Sequence, residues 1–219
     1  MIKIYKAVIF DLDGTLLNTL DDIANACNYA LKECNLKTYE VNKYKKFVGN
    51  GKYKLIERII SKEDYTEELF HKVLKLYDDY YEAHMVDLTK PYEGIVELLD
   101  KLKRLDIKVA VVSNKHHELT IEMVKKYFRN KVDIVFGQRP NVEAKPNPET
   151  VFEVMKEFGV EKNECVYIGD SNVDMLTAKN AGLKSIGVSW GFRGRKELQE
   201  SGADLVVDSA EELRNELLT

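Results

Sequence analysis

Cysteine is scarce in this sequence, and its arrangement excludes two classes of small protein. The 219 residues include 3 cysteines, Cys27, Cys34 and Cys165, which are dispersed and show no C-x-x-C spacing. A disulfide framework needs an even set of paired cysteines and a zinc site needs clustered ones, so neither is indicated. We expect reduced thiols that pack in a core.

A surplus of positive charge is also missing. The net charge is −4, from 33 basic and 37 acidic residues that are interspersed along the chain. Nucleic-acid binders show a basic stripe, and proteins that bind anionic lipid show a polybasic run. The sequence therefore predicts neither a nucleic acid nor a membrane surface as a partner.

Long hydrophobic runs are absent as well. No window approaches the roughly 20 apolar residues of a membrane-spanning helix. The stretch from Met1 to Lys6 lacks the apolar segment and the small-residue cleavage site of a signal peptide. We expect a cytoplasmic protein, as a monomer or a homodimer. A hydrophobic content of 44% is enough for one sizeable core and a smaller second one.

What the sequence does contain is a pair of acids placed directly after an apolar run. Residues 6–10 are apolar and β-branched after the first lysine, as in a central strand with both faces covered, and Asp11, Asp13, Gly14 and Thr15 follow. Ligands bind at the carboxyl ends of such strands. Two buried acids this close repel each other unless they share a proton, pair with a cation or bind metal. An isolated Asp-x-Asp is commonly only a turn or a helix cap.

Further apolar runs alternate with segments of helical period. This alternation predicts an α/β fold with a doubly wound, mostly parallel, Rossmann-like sheet. Asn147 and Pro148 read as an N-cap and a first helical residue, while Gly159 and Gly182 read as helix ends. The later strands are expected at residues 108–112, 132–136, 165–168, 185–188 and 203–207.

Residues 19–88 interrupt the alternation, because they show helical spacing of apolar residues and no convincing strand. We call this stretch the helical insert. It predicts a small α-helical domain inserted into a core domain made of residues 1–18 and 89–219, with hinges at residues 17–19 and 89–91.

Three polar clusters are expected beside the two acids. Ser113 and Asn114 follow one predicted strand, Lys145 lies in the loop after the next, and Asp170 and Asp174 follow a third. Carboxyl ends of neighbouring parallel strands meet at one crevice, so these side chains are predicted to lie close together. A lysine beside a proline is usually solvated, and Asp174 could be a first-turn acid of its helix. Four such clusters in order, each at a strand end, favour a catalytic site.

At these residues the chain resembles the haloacid dehalogenase superfamily of phosphatases. The resemblance spans essentially the whole chain and follows four motifs in the family's order. It implies a hydrolase that forms an aspartyl-phosphate, with a helical cap domain over the site. The motifs match residues 11–15, Ser113, Lys145, and residues 169–170 with Asp174.

Elementary electrostatics explains why such a site needs a cation. A carboxylate attacking a phosphate monoester meets repulsion of roughly 4 kcal/mol per unit charge at 4 Å, or about 8 kcal/mol for a dianion. One amine cannot cancel this repulsion, and Mg²⁺ prefers carboxylate and carbonyl oxygens. The resemblance implies Mg²⁺ bound by Asp11, Asp170 and the Asp13 carbonyl, with Asp174 supporting the site.

The remaining roles are predicted from chemistry and from the resemblance together. Asp11 is the expected nucleophile and Asp13 the general acid and base. Thr15, Ser113, Asn114 and Lys145 are the expected phosphate-binding residues.

Substrate choice is the least defined part of the prediction. The insert contains Gly49, Asn50, Gly51 and Lys52 ahead of a helical stretch, and we call residues 49–52 the cap loop. Helix-start N–H groups and a lysine suit a second anionic group of the substrate, such as a carboxylate, but a plain surface turn fits equally well. The phosphoglycolate phosphatase-like members of the superfamily carry a similar loop, which makes 2-phosphoglycolate the first candidate among small phosphorylated metabolites.

Four other functions are weighed against this one. An inorganic pyrophosphatase or a sugar phosphomutase would use the same chemistry, although a mutase must protect its aspartyl-phosphate from water. A dehalogenase is disfavoured because Asp13 would have no leaving alcohol to protonate. A phospho-signalling receiver module also gathers acids, a hydroxyl and a lysine around Mg²⁺. It would be shorter, would lack the insert, and would not need Asp13.

Overall fold

A computed structural model describes residues 5–218 of the chain. The first four residues and Thr219 lie outside the described residues, and with them most of the amino-terminal stretch considered above. Within the described chain, no helix has the length and apolar character needed to cross a membrane.

Six parallel strands of the described chain form one sheet in the order β5-β4-β1-β6-β7-β8. The central strand β1 is buried at all four residues and pairs with β4 and β6 on its two sides, so that Ala7 lies opposite both Lys108 and Cys165. An apolar strand with neighbours and helices around it is what a doubly wound sheet requires at its centre. The sheet strands are Ala7–Phe10 (β1), Lys108–His116 (β4), Ile134–Gln138 (β5), Cys165–Gly169 (β6), Lys184–Val188 (β7) and Leu205–Val207 (β8).

Helices fill the connections between these strands and cover both faces of the sheet. The predicted helix ends at Gly159 and Gly182 are confirmed, because both glycines adopt the left-handed conformation that closes a helix. The core helices are Ile95–Arg104 (α5), His117–Tyr127 (α6), Glu149–Phe158 (α7), Asn172–Ala181 (α8), Gly194–Glu200 (α9) and Ala210–Leu218 (α10), with short 3₁₀ turns at Arg129–Lys131 and Lys162–Glu164.

The helical insert contains four helices of the described chain and lies between two short antiparallel strands. The helices are Leu20–Glu33 (α1), Val41–Tyr44 (α2), Gly51–Ile59 (α3) and Glu67–His84 (α4). The strands Leu17–Asn18 (β2) and Lys90–Pro91 (β3) pair with each other at the two predicted hinges. The expectation of no strand before residue 108 was therefore wrong at the hinges, where the entry and exit of the insert form a two-stranded ribbon.

Asp22 ties the start of α1 to the segment leaving the insert. Its buried carboxylate accepts hydrogen bonds from the Leu88 and Thr89 backbone N–H groups and from the Thr89 hydroxyl, at 2.7 to 3.1 Å. A carboxylate with several donors offsets its loss of hydration. The two crossings of the chain into the insert are thus held side by side.

The sheet divides the hydrophobic core into two clusters, one on each face, and one of these clusters continues into the insert. One cluster of buried side chains continues from sheet residues such as Phe10 and Ile168 to insert residues such as Tyr44 and Ile56. A smaller cluster, which includes Ile9, lies on the other face of the sheet against α7 and α8. A division into two domains at residues 19 and 88 stays a prediction.

Several element boundaries differ from the predicted ones, and three of the differences are informative. The strand expected at residues 132–136 begins at Ile134, because the Asp133 carboxylate takes the Val109 N–H at 2.8 Å. The helix expected to begin at Pro148 begins one residue later, and the Asn147 side chain caps its first turn by accepting the Glu149 N–H at 2.8 Å. At both boundaries a side chain makes a hydrogen bond with the backbone.

The third difference affects the site. Strand β4 continues past Val112 to His116, with a shift of its pairing to β5 between those residues. Ser113, Asn114 and Lys115 therefore lie on the strand's irregular end, whereas the prediction placed them just past the end of the strand at Val112. Such irregularities occur often near active sites, because they redirect side chains.

Candidate active site

The sequence-predicted acids and lysine meet at the carboxyl ends of the central strands. Asp11 follows β1 directly, Asp170 follows β6, and Lys145 comes from the long loop between β5 and α7. All three side chains are buried. Residues far apart in sequence are brought together because β1 lies between β4 and β6 in the sheet.

Lys145 lies at the centre of this group. Its ammonium is 2.9 Å from Asp11 Oδ1 and 2.8 Å from Asp174 Oδ1, and it donates a hydrogen bond to the Val112 carbonyl at 3.0 Å. Burial alone opposes the charged form, but the attraction of Asp11 and Asp174 outweighs it and holds the Lys145 pKa well above its usual range. The lysine is therefore a permanent cation in the site.

Asn114 holds the backbone of Lys145. The Asn114 Oδ1 atom accepts the Lys145 N–H at 2.8 Å, and Nδ2 donates to the Lys145 carbonyl at 3.1 Å. Nδ2 also lies 3.4 Å from the Gly49 carbonyl of the insert. The side chain predicted to bind phosphate thus makes its hydrogen bonds to backbone groups of Lys145 and Gly49.

Three carboxylates form the only group of possible metal ligands found in the described chain. Asp11, Asp170 and Asp174 each offer an oxygen, and these atoms lie within 4.8 Å of one another. Burial raises the pKa of Asp11 to about 7 against the attraction of Lys145, and burial with the nearby Asp174 and Asp11 charges raises the pKa of Asp170 well above its usual range. Three acids share one lysine, so the cluster cannot hold all three carboxylates in their charged form without a further cation.

The donor set fits a hard divalent cation. Asp11 Oδ1 is buried and makes no hydrogen bond within the described chain, since its contact with Lys145 is an ion pair without hydrogen-bond geometry. Carboxylate oxygens of this kind are typical ligands of Mg²⁺ or Ca²⁺. Both carboxylate oxygens of Asp174 already have partners in the protein. Its Oδ1 pairs with Lys145, and its Oδ2 accepts hydrogen bonds from the Ser171 hydroxyl at 2.6 Å and the Ser171 N–H at 3.1 Å.

Two glycines allow the chain to approach Asp170 closely. A Cβ atom on Gly14 would lie 2.4 Å from Asp170 Oδ2, and one on Gly191 would lie 2.3 Å from Asp170 Cβ. Gly14 also has φ near +87°, which L-residues rarely adopt. The Asp170 carboxylate is held there by the Phe192 N–H at 2.7 Å and the Thr15 hydroxyl at 3.4 Å.

Asp13 and Ser113 occupy the side of the site nearer the insert. The Asp13 carboxylate accepts hydrogen bonds from the Lys115 ammonium at 3.3 and 3.4 Å. The Ser113 hydroxyl accepts the Lys115 N–H at 3.3 Å, which fixes the end of β4. Both residues line the cavity described next.

A cavity separates the acidic cluster from the insert. Core residues line its floor and insert residues line its roof, among them Gly49, Gly51 and Lys52 of the cap loop. Lys52 pairs with Asp78 at 2.6 Å, so its ammonium is partly neutralised. Asn50 does not join the others in lining the cavity, because its Oδ1 accepts from Arg58 at 2.6 Å.

The sequence analysis assigned no role in the site to two cations that line this cavity. Lys115 reaches Asp13 and the Tyr81 hydroxyl, and Arg193 donates to the Val48 carbonyl of the insert at 2.8 Å. Lys115 directly follows the predicted site residues Ser113 and Asn114 in the sequence, and this adjacency indicates a place in the site. No pattern in the sequence indicates that Arg193, which precedes α9, contacts the insert.

Comparison with known proteins agrees with this geometry. The sequence model described as haloacid dehalogenase-like hydrolase matches residues 8–188. The chain belongs to this family. It is 34% identical over 218 residues to a phosphoglycolate phosphatase of Vibrio parahaemolyticus, with 95% of this chain and 94% of the relative covered. A phosphoglycolate phosphatase of Aquifex aeolicus is 33% identical, with 85% of this chain and 86% of the relative covered.

Solved structures of the family show the same architecture. A Lactobacillus delbrueckii subsp. bulgaricus protein, provisionally described as a phosphoglycolate phosphatase, is 35% identical with a TM-score of 0.92 over 100% of this chain and 99% of that one. CbbY of Rhodobacter sphaeroides, crystallised in complex with phosphate, is 26% identical with a TM-score of 0.81 over 96% of each chain. The predictions of the family, of the α/β fold class and of a phosphatase are confirmed.

Proposed function

We propose that this phosphatase is Mg²⁺-dependent and hydrolyses a small phosphorylated metabolite, with 2-phosphoglycolate as the first candidate. The names of its relatives support the candidate, since the Vibrio and Aquifex proteins are both called phosphoglycolate phosphatases. The phosphate bound to CbbY supports a phosphate-sized site in this architecture. The single observation that supports the proposal most strongly is that the buried side chains of Asp11, Lys145 and Asp170 lie close together beneath one cavity.

The proposed cofactor is Mg²⁺. Asp11, Asp170 and the Asp13 carbonyl would hold it, with Asp174 as a supporting residue. The ion would supply the positive charge that lets a carboxylate approach a phosphate dianion. Three buried acids that share one lysine, and an Asp11 oxygen that has an ion pair but no hydrogen bond, support this assignment.

The proposed reaction has two steps with Asp11 and Asp13 in complementary roles. Asp11 attacks phosphorus, and the Asp13 carboxyl gives its proton to the leaving alcohol oxygen as the ester bond breaks. Asp13 then takes a proton from the water that attacks the aspartyl-phosphate, which releases phosphate and restores Asp11. Thr15, Ser113 and Lys145 would hold the phosphate oxygens, and Asn114 would keep Lys145 in place.

Residues 19–88 are proposed to act as a cap domain over a core of residues 1–18 and 89–219. A cap that closes over the substrate excludes bulk water from an intermediate that water would otherwise reach freely. The cap loop supports this role because Gly49, Gly51 and Lys52 line the cavity opposite Asp11. Lys52 and the first N–H groups of α3 are proposed to bind the substrate's carboxylate.

The test is steady release of phosphate from 2-phosphoglycolate and from p-nitrophenyl phosphate. We expect turnover with Mg²⁺ and at least a hundredfold loss after chelation. Stoichiometric phosphorylation without turnover would instead support the receiver module and would refute the proposal. Turnover confined to pyrophosphate, or conversion of one sugar phosphate into its isomer, would support the pyrophosphatase or the mutase.

A further inference from the structure

Lys115 is the only group in the described chain that contacts the Asp13 carboxylate by a hydrogen bond. Its ammonium reaches both carboxylate oxygens, at 3.3 and 3.4 Å. The Lys115 side chain is 7% exposed, so water does little to weaken this pair. Contact with both oxygens favours one orientation of the carboxylate.

The same ammonium also contacts the helical insert. It donates to the Tyr81 hydroxyl at 2.5 Å and lies 4.5 Å from the centre of the Tyr81 ring. Tyr81 belongs to α4, is buried, and stacks on Tyr77 with ring centres 5.3 Å apart. Lys115 therefore connects an acid of the core with a rigid aromatic pair of the insert.

The backbone of Lys115 is fixed on both sides. Its N–H donates to the Ser113 hydroxyl at 3.3 Å. The Thr120 hydroxyl donates to the next carbonyl, that of His116, at 2.8 Å and lies 3.3 Å from the Lys115 carbonyl. These bonds lie in the irregular end of β4, where the pairing to β5 shifts. The backbone thus holds the start of the Lys115 side chain in place. The position of the ammonium depends on its hydrogen bonds to the Asp13 carboxylate and the Tyr81 hydroxyl.

We propose that Lys115 is a positioning residue that orients the Asp13 carboxyl toward the leaving-group oxygen, and that docking of Tyr81 on Lys115 couples this orientation to closure of the insert. The inference rests on the proposed function, since it assigns Asp13 as the proton donor. Orientation matters here because a proton donor works only within hydrogen-bond reach of the atom it protonates. With the insert undocked, Lys115 would lose one of its two partners and Asp13 its fixed direction.

The experiment compares substrates that differ in their need for a proton. The probes are 2-phosphoglycolate, ethyl phosphate and p-nitrophenyl phosphate, and kcat and KM are measured for each with wild type, Lys115→Met and Tyr81→Phe. An alkoxide leaves poorly without a proton, whereas p-nitrophenolate leaves readily. Tyr81→Phe keeps the ring stack and removes only the hydroxyl. Lys108→Met is the matched control, because Lys108 lies at the other end of β4 and pairs with Asp106 at the same 3.3 Å.

We expect Lys115→Met to lower kcat/KM about 30- to 100-fold on both alkyl esters and less than about threefold on p-nitrophenyl phosphate, within the range of general acid catalysis. The ratio kcat/KM is the quantity compared, because it reports the steps up to release of the alcohol and not the later hydrolysis of the aspartyl-phosphate, which all three probes share. Tyr81→Phe should show the same selectivity with a smaller loss, and it carries the test if Lys115→Met does not fold. Lys108→Met should match wild type on all three probes.

Two results would overturn the inference while leaving the phosphatase intact. Equal losses of kcat/KM on all three probes would assign Lys115 a merely structural role. A rise of KM for 2-phosphoglycolate alone would make Lys115 a ligand of the substrate carboxylate. Failure of the wild type on every probe would instead refute the proposed function itself.

Discussion

At the scale of single residues, the site could be predicted where chemistry and strand ends coincide. Asp11, Lys145 and Asp170 were expected to converge because each follows or lies near the end of a parallel strand, and the structure brings them together. The position of Lys115 against Asp13 could not be predicted in the same way. It depends on the irregular end of β4, which no periodicity in residues 108–116 indicates.

Asp13 provides a residue-scale prediction that separates proton transfer from metal binding. Asp13→Asn removes the proposed acid and base but keeps the backbone carbonyl assigned to the ion. We expect kcat on 2-phosphoglycolate to fall about 10²- to 10⁴-fold, the usual range for such a group. Mg²⁺ affinity, measured by titration calorimetry, should change less than about threefold. A large loss of Mg²⁺ affinity would show that the carboxylate itself binds the ion.

At the scale of elements, side chains that bond to the backbone mark two of the boundaries. Asp133 takes the Val109 N–H just before β5, and Asn147 caps the first turn of α7. The existence and order of the strands were predictable, because buried apolar runs determine them. How the insert packs on the core was not, since both share one hydrophobic cluster and no sequence period encodes contacts between them.

At the same scale, Lys52 at the start of α3 provides a prediction about substrate choice. Lys52→Ala is expected to raise KM for 2-phosphoglycolate about tenfold, because a charge-assisted contact to its carboxylate is lost. KM for p-nitrophenyl phosphate, which lacks a carboxylate, should change less than about twofold.

Lys54→Ala is the control for that variant. Lys54 lies on the same helix, is exposed, and pairs with Glu57 at the same 2.6 Å that separates Lys52 from Asp78. Equal effects of the two substitutions on KM would remove the cap loop from substrate recognition.

At the scale of the whole molecule, the site is a source of instability that a cation should relieve. Three buried acids share one lysine, and burial raises the pKa of both Asp11 and Asp170. A ligand that binds only the folded state at about 100 times its Kd stabilises it by about 2.7 kcal/mol. For a chain of this size, that corresponds to a rise in Tm of roughly 5 to 10 °C.

Thermal unfolding with and without Mg²⁺ checks this prediction. The wild type should show the full shift, and Asp170→Asn should show less than a third of it because a carboxylate ligand is lost. A shift of equal size in both proteins would place the ion elsewhere.

The central claim is that Asp11 carries the phosphoryl group between substrate and water. The most direct measurement is to quench the enzyme in acid during turnover of 2-phosphoglycolate, reduce it with borohydride and analyse its peptides by mass spectrometry. Borohydride converts an aspartyl-phosphate to homoserine but leaves a free aspartate unchanged. The account predicts homoserine at position 11, lost when substrate is omitted. Steady hydrolysis with an unmodified Asp11, or with the modification on another residue, would contradict it.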